Sequence, residues 1–261
     1  MLTNSNRNRV VLITGARTGI GREIGVVFAR NGYRVVFSGR SIGDCSTTVK
    51  KLVAEGCQVS EVPIDLSDIA NLEANVNRAI EVWGELDILI NNAAIIDPIA
   101  RLKQIRAPEL ENSSITNFVA PTMLIKYCWE HLKTKKGKVL NILSGAATNA
   151  IEGWTAYCST KAALHMINQQ AHVEGKSDYI KSIGISPGMV DTKMQGQIRQ
   201  SGVNQVSKVK KEDLISCEVP AKFTLWCASE EANEFSGRMI SLSDPDINKR
   251  YIDWSENNIH K

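Results

Sequence analysis

The chain lacks any C-x-x-C pair. Its six cysteines (45, 57, 128, 158, 217 and 227) show no spacing that would make a disulfide framework or a zinc site. They read as reduced thiols and, with no secretory pattern at the N-terminus, the expectation is a cytoplasmic protein. Histidine is scarce, at four residues, and none stands at a metal-ligand spacing, so no metal site is expected. No apolar run approaches the ~18 residues of a membrane-crossing helix, which excludes a helical span. An excess of one charge is also missing. Lys+Arg 31 against Asp+Glu 28 leaves a net +3, too small to argue for nucleic acid as a partner. Lysines 133, 135, 136 and 138 cluster where a helix gives way to a strand, so they read as a solvated face that complements the helix dipole. Internal repeats and low-complexity stretches are absent.

What is present is an alternation of strand and helix. With 261 residues and 43% hydrophobic content, the chain suits one α/β domain with a sizeable core. A short β-branched run over 9–13 enters Thr14-Gly15-Ala16-Arg17-Thr18-Gly19-Ile20-Gly21, and a helical pattern follows to Asn31-Gly32. Strand, glycine turn and helix in that order describe a cradle for a dinucleotide pyrophosphate. Further strands are expected over 33–38, 58–64, 86–90, 138–143, 180–186 and 237–242. Helices are expected over 44–55, capped by Asp44, from Ser67 to about 82, and over 108–131, 154–174 and 219–229, with irregular short helices between 193 and 217. This pattern predicts a single-domain Rossmann fold, a doubly wound seven-stranded parallel sheet with helices on both faces. Residues 1–8 are read as a disordered N-terminal tail and 243–261 as a C-terminal tail. Gly15, Arg40, Asp65, Asn92, Ser144 and Pro187 all fall at strand C-termini, the edge where such sheets bind ligands.

Tyr157 and Lys161, four apart in a helical stretch, share one helix face. A tyrosine titrates near pH ~10, and a fixed positive neighbour is expected to lower that value and make the phenol an acid–base group. Cys158, next in line, points about 100° away from Tyr157, so packing is its expected role.

The segment T-G-x-x-x-G-x-G at 14–21, Asn91-Asn92-Ala93-Ala94, Ser144, Tyr157-xxx-Lys161 and the run 187–192 resemble the short-chain dehydrogenase/reductase superfamily in order and spacing, over about 9–242. The resemblance implies an NADP-dependent oxidoreductase of carbonyl reductase or alcohol dehydrogenase type. In that case Tyr157 carries the proton, Lys161 tunes it and holds the nicotinamide ribose, Ser144 bonds the substrate oxygen, and Asn117 is a fourth catalytic member. It implies cofactor contacts at Gly15, Arg17, Thr18, Gly19, Ile20 and Gly21, at Asp65 and Leu66 beside the adenine, and at Asn92 and Ala93 near its ribose. Pro187, Val190 and Thr192 match the nicotinamide end. Two departures are Ala94, where most relatives carry glycine, and Leu143, where many carry serine.

Gly39 stands where relatives that prefer NAD usually carry Asp, and Arg40 follows it. A 2′-phosphate would be drawn to the Arg40 fork, with Arg17 as a second cation, so NADP is expected over NAD. The alternative is that Arg40 is only a solvated turn residue. Ala146, Met189 and Met194 would line an apolar substrate pocket with Ile95 and Ile96, under a lid at about 193–217; Trp154 reads as a pocket wall or a core position. The stretches 153–157 and 190–195 further resemble the sepiapterin- and benzil-reductase branch. Competing readings are a dehydrogenase of a sugar or natural-product alcohol, and a non-catalytic NADP sensor on the same fold. Similar proteins pair through two long helices. A homodimer or homotetramer is therefore expected, with Met123, Tyr127, His165, Met166 and His172 in the contact and a small molecule as substrate.

Overall fold

The computed structural model describes residues 8–258 of the chain. Strand β1 (Val10–Thr14) is the third strand of a seven-stranded parallel sheet, beside the middle one. The other strands are β2 (Arg34–Ser38), β3 (Val59–Glu61), β4 (Ile88–Asn91), β5 (Lys138–Ile142), β6 (Lys181–Ser186) and β7 (Met239–Ser241), in the order β3-β2-β1-β4-β5-β6-β7. The order reverses between β1 and β4, and a crevice opens where the crossovers leave in opposite directions. The predicted fold class is therefore the observed one.

Strand β1 is buried along its whole length and alternates between two cores. Val11 and Ile13 point to one face, where α1 (Gly19–Arg30) packs on α8 (Glu218–Cys227) through Ile24, Phe28, Phe223 and Trp226. Val10 and Leu12 point to the other face. There α3 (Leu72–Glu81) and α5 (Ala120–Lys135) contribute Val76, Leu124 and Leu132 beside Ala171 of α6 (Thr155–Gly175). A period of two on a strand covered by helices on both faces gives an apolar residue at every position, the pattern seen in 10–13.

Three local expectations are corrected. Asp44 does not cap α2 (Ser46–Ala54). Its carboxylate turns back to accept from the Arg40 and Ser41 backbone N–H groups, at 2.9 and 3.0 Å. Ser67 does not start the next helix; Asp68 accepts from Asn71 N, while Ser67 donates to Asp65. The segment after β7 is not a tail. Residues Pro245–Asn258 form α9, which buries Ile247 and Trp254 and sets Tyr251 edge-on to Phe223 at 5.6 Å. Most of the N-terminal tail lies outside the described residues.

The helical run expected over 108–131 has a defect at its centre. It is α4 (Ala107–Ser114), a π-helical turn over Ile115–Val119, and α5. Pro121 has no N–H to return to the Asn117 carbonyl four residues back, and its ring would crowd that carbonyl; widening to π geometry relieves both.

At the opposite sheet edge from the crevice, Lys138 is buried at the start of β5. Its ammonium donates to the carbonyls of Cys227 and Ser229, tying the end of α8 to the sheet. Burial pushes its pKa down to about 7. A lysine depressed in the folded chain binds fewer protons there than when unfolded, so between about pH 7 and its ordinary value stability gains as pH rises. The expected outcome is that the melting temperature of the wild type, relative to Lys138→Met, rises from pH 7 to pH 10. A constant difference measured by calorimetry would contradict this account of Lys138.

Candidate active site

The crevice is a continuous cleft of about 1380 Å³, roomier than most small-molecule pockets. Its floor is built at the ends of β1 and β4. Thr14 Oγ1 accepts from Asn92 N at 3.1 Å and Ala93 N at 3.2 Å. In return, Asn92 Nδ2 donates to the carbonyls of Thr14 (2.8 Å) and Gly15 (3.2 Å). Asn92 thus braces the glycine loop from below. A β-carbon on Gly21 would lie 2.3 Å from Asn92 Nδ2, so only glycine fits there. Gly15 has φ +64 and lets the chain turn from strand into loop. Thr18 is the N-cap of α1 but its side chain does not cap, leaving first-turn N–H groups facing the cleft.

Every residue predicted to touch cofactor lines this cleft: Gly15, Arg17, Thr18, Gly19, Ile20, Gly21, Arg40, Asp65, Leu66, Asn92, Ala93, Tyr157, Lys161, Pro187, Val190 and Thr192. Ser144 and the four predicted substrate residues, Ala146, Trp154, Met189 and Met194, line it too. The two arginines are not free cations. Arg17 pairs with Asp44 at 3.5 Å and Arg40 with Asp65 at 3.8 Å, all at the β2 end of the cleft.

Tyr157 and Lys161 stand one turn apart on α6, and both side chains are buried. Lys161 Nζ donates to the Ile142 carbonyl at 2.7 Å and lies 5.7 Å from the centre of the Tyr157 ring. Here the sequence expectation reverses. Burial pushes the Tyr157 phenol up to about 12, outweighing the hydrogen bond with Ser144 that works in the opposite direction. Burial likewise brings the Lys161 ammonium down to about 8. Desolvation penalises the charged form of each, so it raises an acid and lowers a base. The phenol is consequently held in its protonated form at neutral pH.

Asn117 does not line the cleft. It is fully buried in the π turn, where Oδ1 accepts from Ile95 N at 2.8 Å and Nδ2 donates to Ile95 O at 2.8 Å. Nδ2 also reaches Thr160 Oγ1 at 3.2 Å, and that hydroxyl donates to the Tyr157 carbonyl at 3.1 Å. Asn117 is thus a strut joining the segment after β4 to the turn of α6 that carries Tyr157.

Beyond Tyr157 the cleft wall is apolar, with Ile95, Ala146, Trp154 and Ile198 on it and Trp154 edge-on to Tyr157 at 5.6 Å. Ile96, expected in the wall, is instead buried behind it in the same cluster as Trp154. Trp154 is therefore both wall and core. The predicted lid contains a regular helix, α7 (Lys193–Ser201), and is tethered: Gln197 Nε2 donates to Asp97 Oδ2 at 3.1 Å across the mouth. Ile215 N donates to Met189 O at 3.0 Å, and Asn204 Nδ2 to Glu152 O at 2.8 Å. Sequence reasoning missed the Asp97–Gln197 clasp, which has no local signal. It also missed Thr14 and Asp44 as site residues, although Thr14 belongs to the glycine motif and Asp44 follows the β2 turn. Cys158 packs beside this cluster with its thiol toward the Asn149 carbonyl at 3.6 Å.

The comparisons with known proteins agree with this geometry. The short chain dehydrogenase family model matches residues 9–202, and the chain belongs to that family. A benzil reductase ((S)-benzoin forming) of Bacillus cereus is 32% identical over 201 residues, covering 74% of this chain and 80% of the relative. A galactitol 2-dehydrogenase of Agrobacterium fabrum is 32% identical over 186 residues, covering 70% and 71%. The solved structure of YIR035C, a short chain dehydrogenase/reductase from Saccharomyces cerevisiae, superposes with a TM-score of 0.82 at 26% identity, covering 93% of this chain and 99% of that one. Likeness to the benzil reductases accords with the branch resemblance read from 153–157 and 190–195.

The two buried groups have a shared consequence for pH. Carbonyl reduction needs a protonated donor and, as its proton leaves, a positive neighbour. The Tyr157 phenol stays protonated to about pH 12, whereas Lys161 loses its charge near 8. For carbonyl reduction, the activity proposed below, kcat/KM is expected to be level from pH 6 to about 7.5 and to fall above about pH 8. A profile that stays level to pH 10 would remove Lys161's charge from the account.

Proposed function

We propose that this chain is an NADP-dependent carbonyl reductase working in the cytoplasm on a small ketone or diketone. The observation that carries the reading is the meeting of buried Tyr157 and Lys161 with a half-buried Ser144 on one cleft, where a glycine-turn cradle joins an apolar pocket. The cleft fits a dinucleotide: uncapped α1 N–H groups and the Gly15–Gly21 loop suit a pyrophosphate, and Val190 and Thr192 suit the nicotinamide end. When bound, the nicotinamide supplies or accepts the hydride. The residues of the chain do the rest. The Tyr157 hydroxyl gives its proton to the carbonyl oxygen, and the Ser144 hydroxyl donates to the same oxygen as charge grows on it. A donor of this kind is worth ~3–4 kcal/mol in a transition state. Lys161 stabilises the phenolate left behind and offers its remaining N–H groups to ribose hydroxyls. Asn117, which meets neither substrate nor cofactor, is a positioning residue for Tyr157.

The apolar wall of Ile95, Ala146, Trp154 and Ile198 favours an aromatic or aliphatic ketone over a polyol. The name of the benzil reductase relatives supports the same substrate class. Arg40 and Arg17 at the β2 end, with no carboxylate on residue 39, support NADPH. The chain is further proposed to act as a homodimer or homotetramer through α4, α5 and α6. Met166 and Val173 of α6 are exposed, at 56% and 63%. Of the contact residues expected from the sequence, His172 is engaged within the chain, with Nδ1 at 2.9 Å from Ser236 Oγ.

The test is NADPH oxidation against a panel of ketones, vicinal diketones and sugars. Turnover with a ketone or diketone is expected, at higher kcat/KM with NADPH than with NADH. Tyr157→Phe should fold and bind cofactor normally yet lose ~10²-fold or more in kcat. A Phe variant with native turnover would overturn the assignment of the proton donor, and sugar oxidation alone would point to the dehydrogenase alternative.

A further inference from the structure

Gly39 follows β2 with no side chain to direct at an adenosine. Yet the space beside it is filled. A β-carbon built on Gly39 would lie 2.5 Å from Asp44 Cβ and 2.9 Å from Asp44 Oδ2. The hold on that carboxylate is firm. Oδ2 takes the two backbone N–H groups of Arg40 and Ser41, Oδ1 faces Arg17 Nη1 at 3.5 Å, and the side chain is only 17% exposed. The two N–H groups and the guanidinium keep the carboxyl below its usual range, so it is an anion at neutral pH. Asp44 lines the same cleft as Arg17, Arg40 and Asp65.

We infer that Asp44 is a cofactor-specificity residue: clamped over Gly39, it restores the negative charge that residue 39 omits and holds Arg17 away from a 2′-phosphate. This rests on the reading of the cleft as a dinucleotide site. The charges at this end cancel, since Arg17 and Arg40 face Asp44 and Asp65 in two pairs. A 2′-phosphate has to draw both arginines off their partners and sit near two carboxylates. The arginines are more than half exposed, so breaking the pairs costs little. The like-charge repulsion stays, because the backbone N–H groups keep Asp44 where it is. An unphosphorylated ribose meets no such repulsion and finds an acceptor for its hydroxyls. Preference for NADPH is thus smaller than two unpaired arginines would give. The same packing means that Gly39→Asp, the obvious route to an NAD enzyme, would collide with a carboxylate already there.

The experiment measures Kd for NADPH, NADH and 2′,5′-ADP by calorimetry and tryptophan quenching, on the native chain, Asp44→Asn and Asp44→Ser. Both replacements are neutral and retain an oxygen for the Arg40 and Ser41 N–H groups. Expected is roughly tenfold tighter binding of NADPH and 2′,5′-ADP at low salt, with NADH unchanged or weaker, and a gain that shrinks as salt rises. A folded variant whose NADH-to-NADPH Kd ratio stays within about twofold of the native ratio would overturn the role of Asp44 and leave the dinucleotide reading standing. A native chain that binds neither nucleotide would refute the dinucleotide reading and the role of Asp44 with it.

Discussion

Four hydrogen bonds between the ends of β1 and β4 hold the crevice in shape. Thr14 Oγ1 accepts from Asn92 N and Ala93 N, and the Asn92 amide gives both its protons to the Thr14 and Gly15 carbonyls. Strand order reverses at this seam, so the chain leaves β1 toward one face of the sheet and β4 toward the other. Without the cross-tie, the glycine loop would have no fixed height above the sheet. The first turn of α1 and the wall segment that Asn117 grips at Ile95 both hang from the same seam. The seam also explains why glycine is required at 21, where a methyl would strike the bracing amide rather than any ligand.

The proposed chemistry depends on how deeply Tyr157 and Lys161 are set into this frame. A surface tyrosine beside a lysine would titrate near its ordinary value. Tyr157 and Lys161 are instead enclosed by β5, α6 and the Trp154 cluster, and desolvation moves the two groups apart on the pH scale, the phenol upward and the ammonium downward. That favours a neutral, protonated phenol and a lysine whose charge is marginal at pH 8. Such a phenol suits proton donation in reduction more than proton abstraction in oxidation. The lysine's short bond to Ile142 O satisfies one donor and leaves the others directed at the cleft.

Much of this was legible in the sequence, for identifiable reasons. The central strands announce themselves because parallel strands buried on both faces are largely apolar, as β1 and β4 are, whereas the edge strands β3 and β7 are shorter and only half-buried. The glycine loop and the Tyr157–Lys161 pair were legible because each depends on short, fixed spacing. Illegible features depend on partners far along the chain or on competing local bonds. Asp44 had the composition of a helix cap, but the Arg40 and Ser41 N–H groups captured it first. The segment after β7 looked like a tail because α9 is polar apart from a few residues, and only the surface of α8 gives Ile247, Tyr251 and Trp254 something to pack on. The π turn at 115–119 was implicit in Pro121, whose missing N–H was not carried back four residues to Asn117. The Asp97–Gln197 clasp joins residues with no local relation and needed the fold itself.

The central claim is that the buried Tyr157 hydroxyl delivers the proton during carbonyl reduction. Its most direct test replaces that tyrosine with 3-fluorotyrosine, which differs chiefly in the acidity of the hydroxyl, and follows cofactor oxidation in a single turnover across pH. If Tyr157 is the donor, the reduction rate and the pH at which it declines both shift with the acidity of the phenol. Rate and pH profile superimposable on those of the native protein would show that the proton comes from elsewhere.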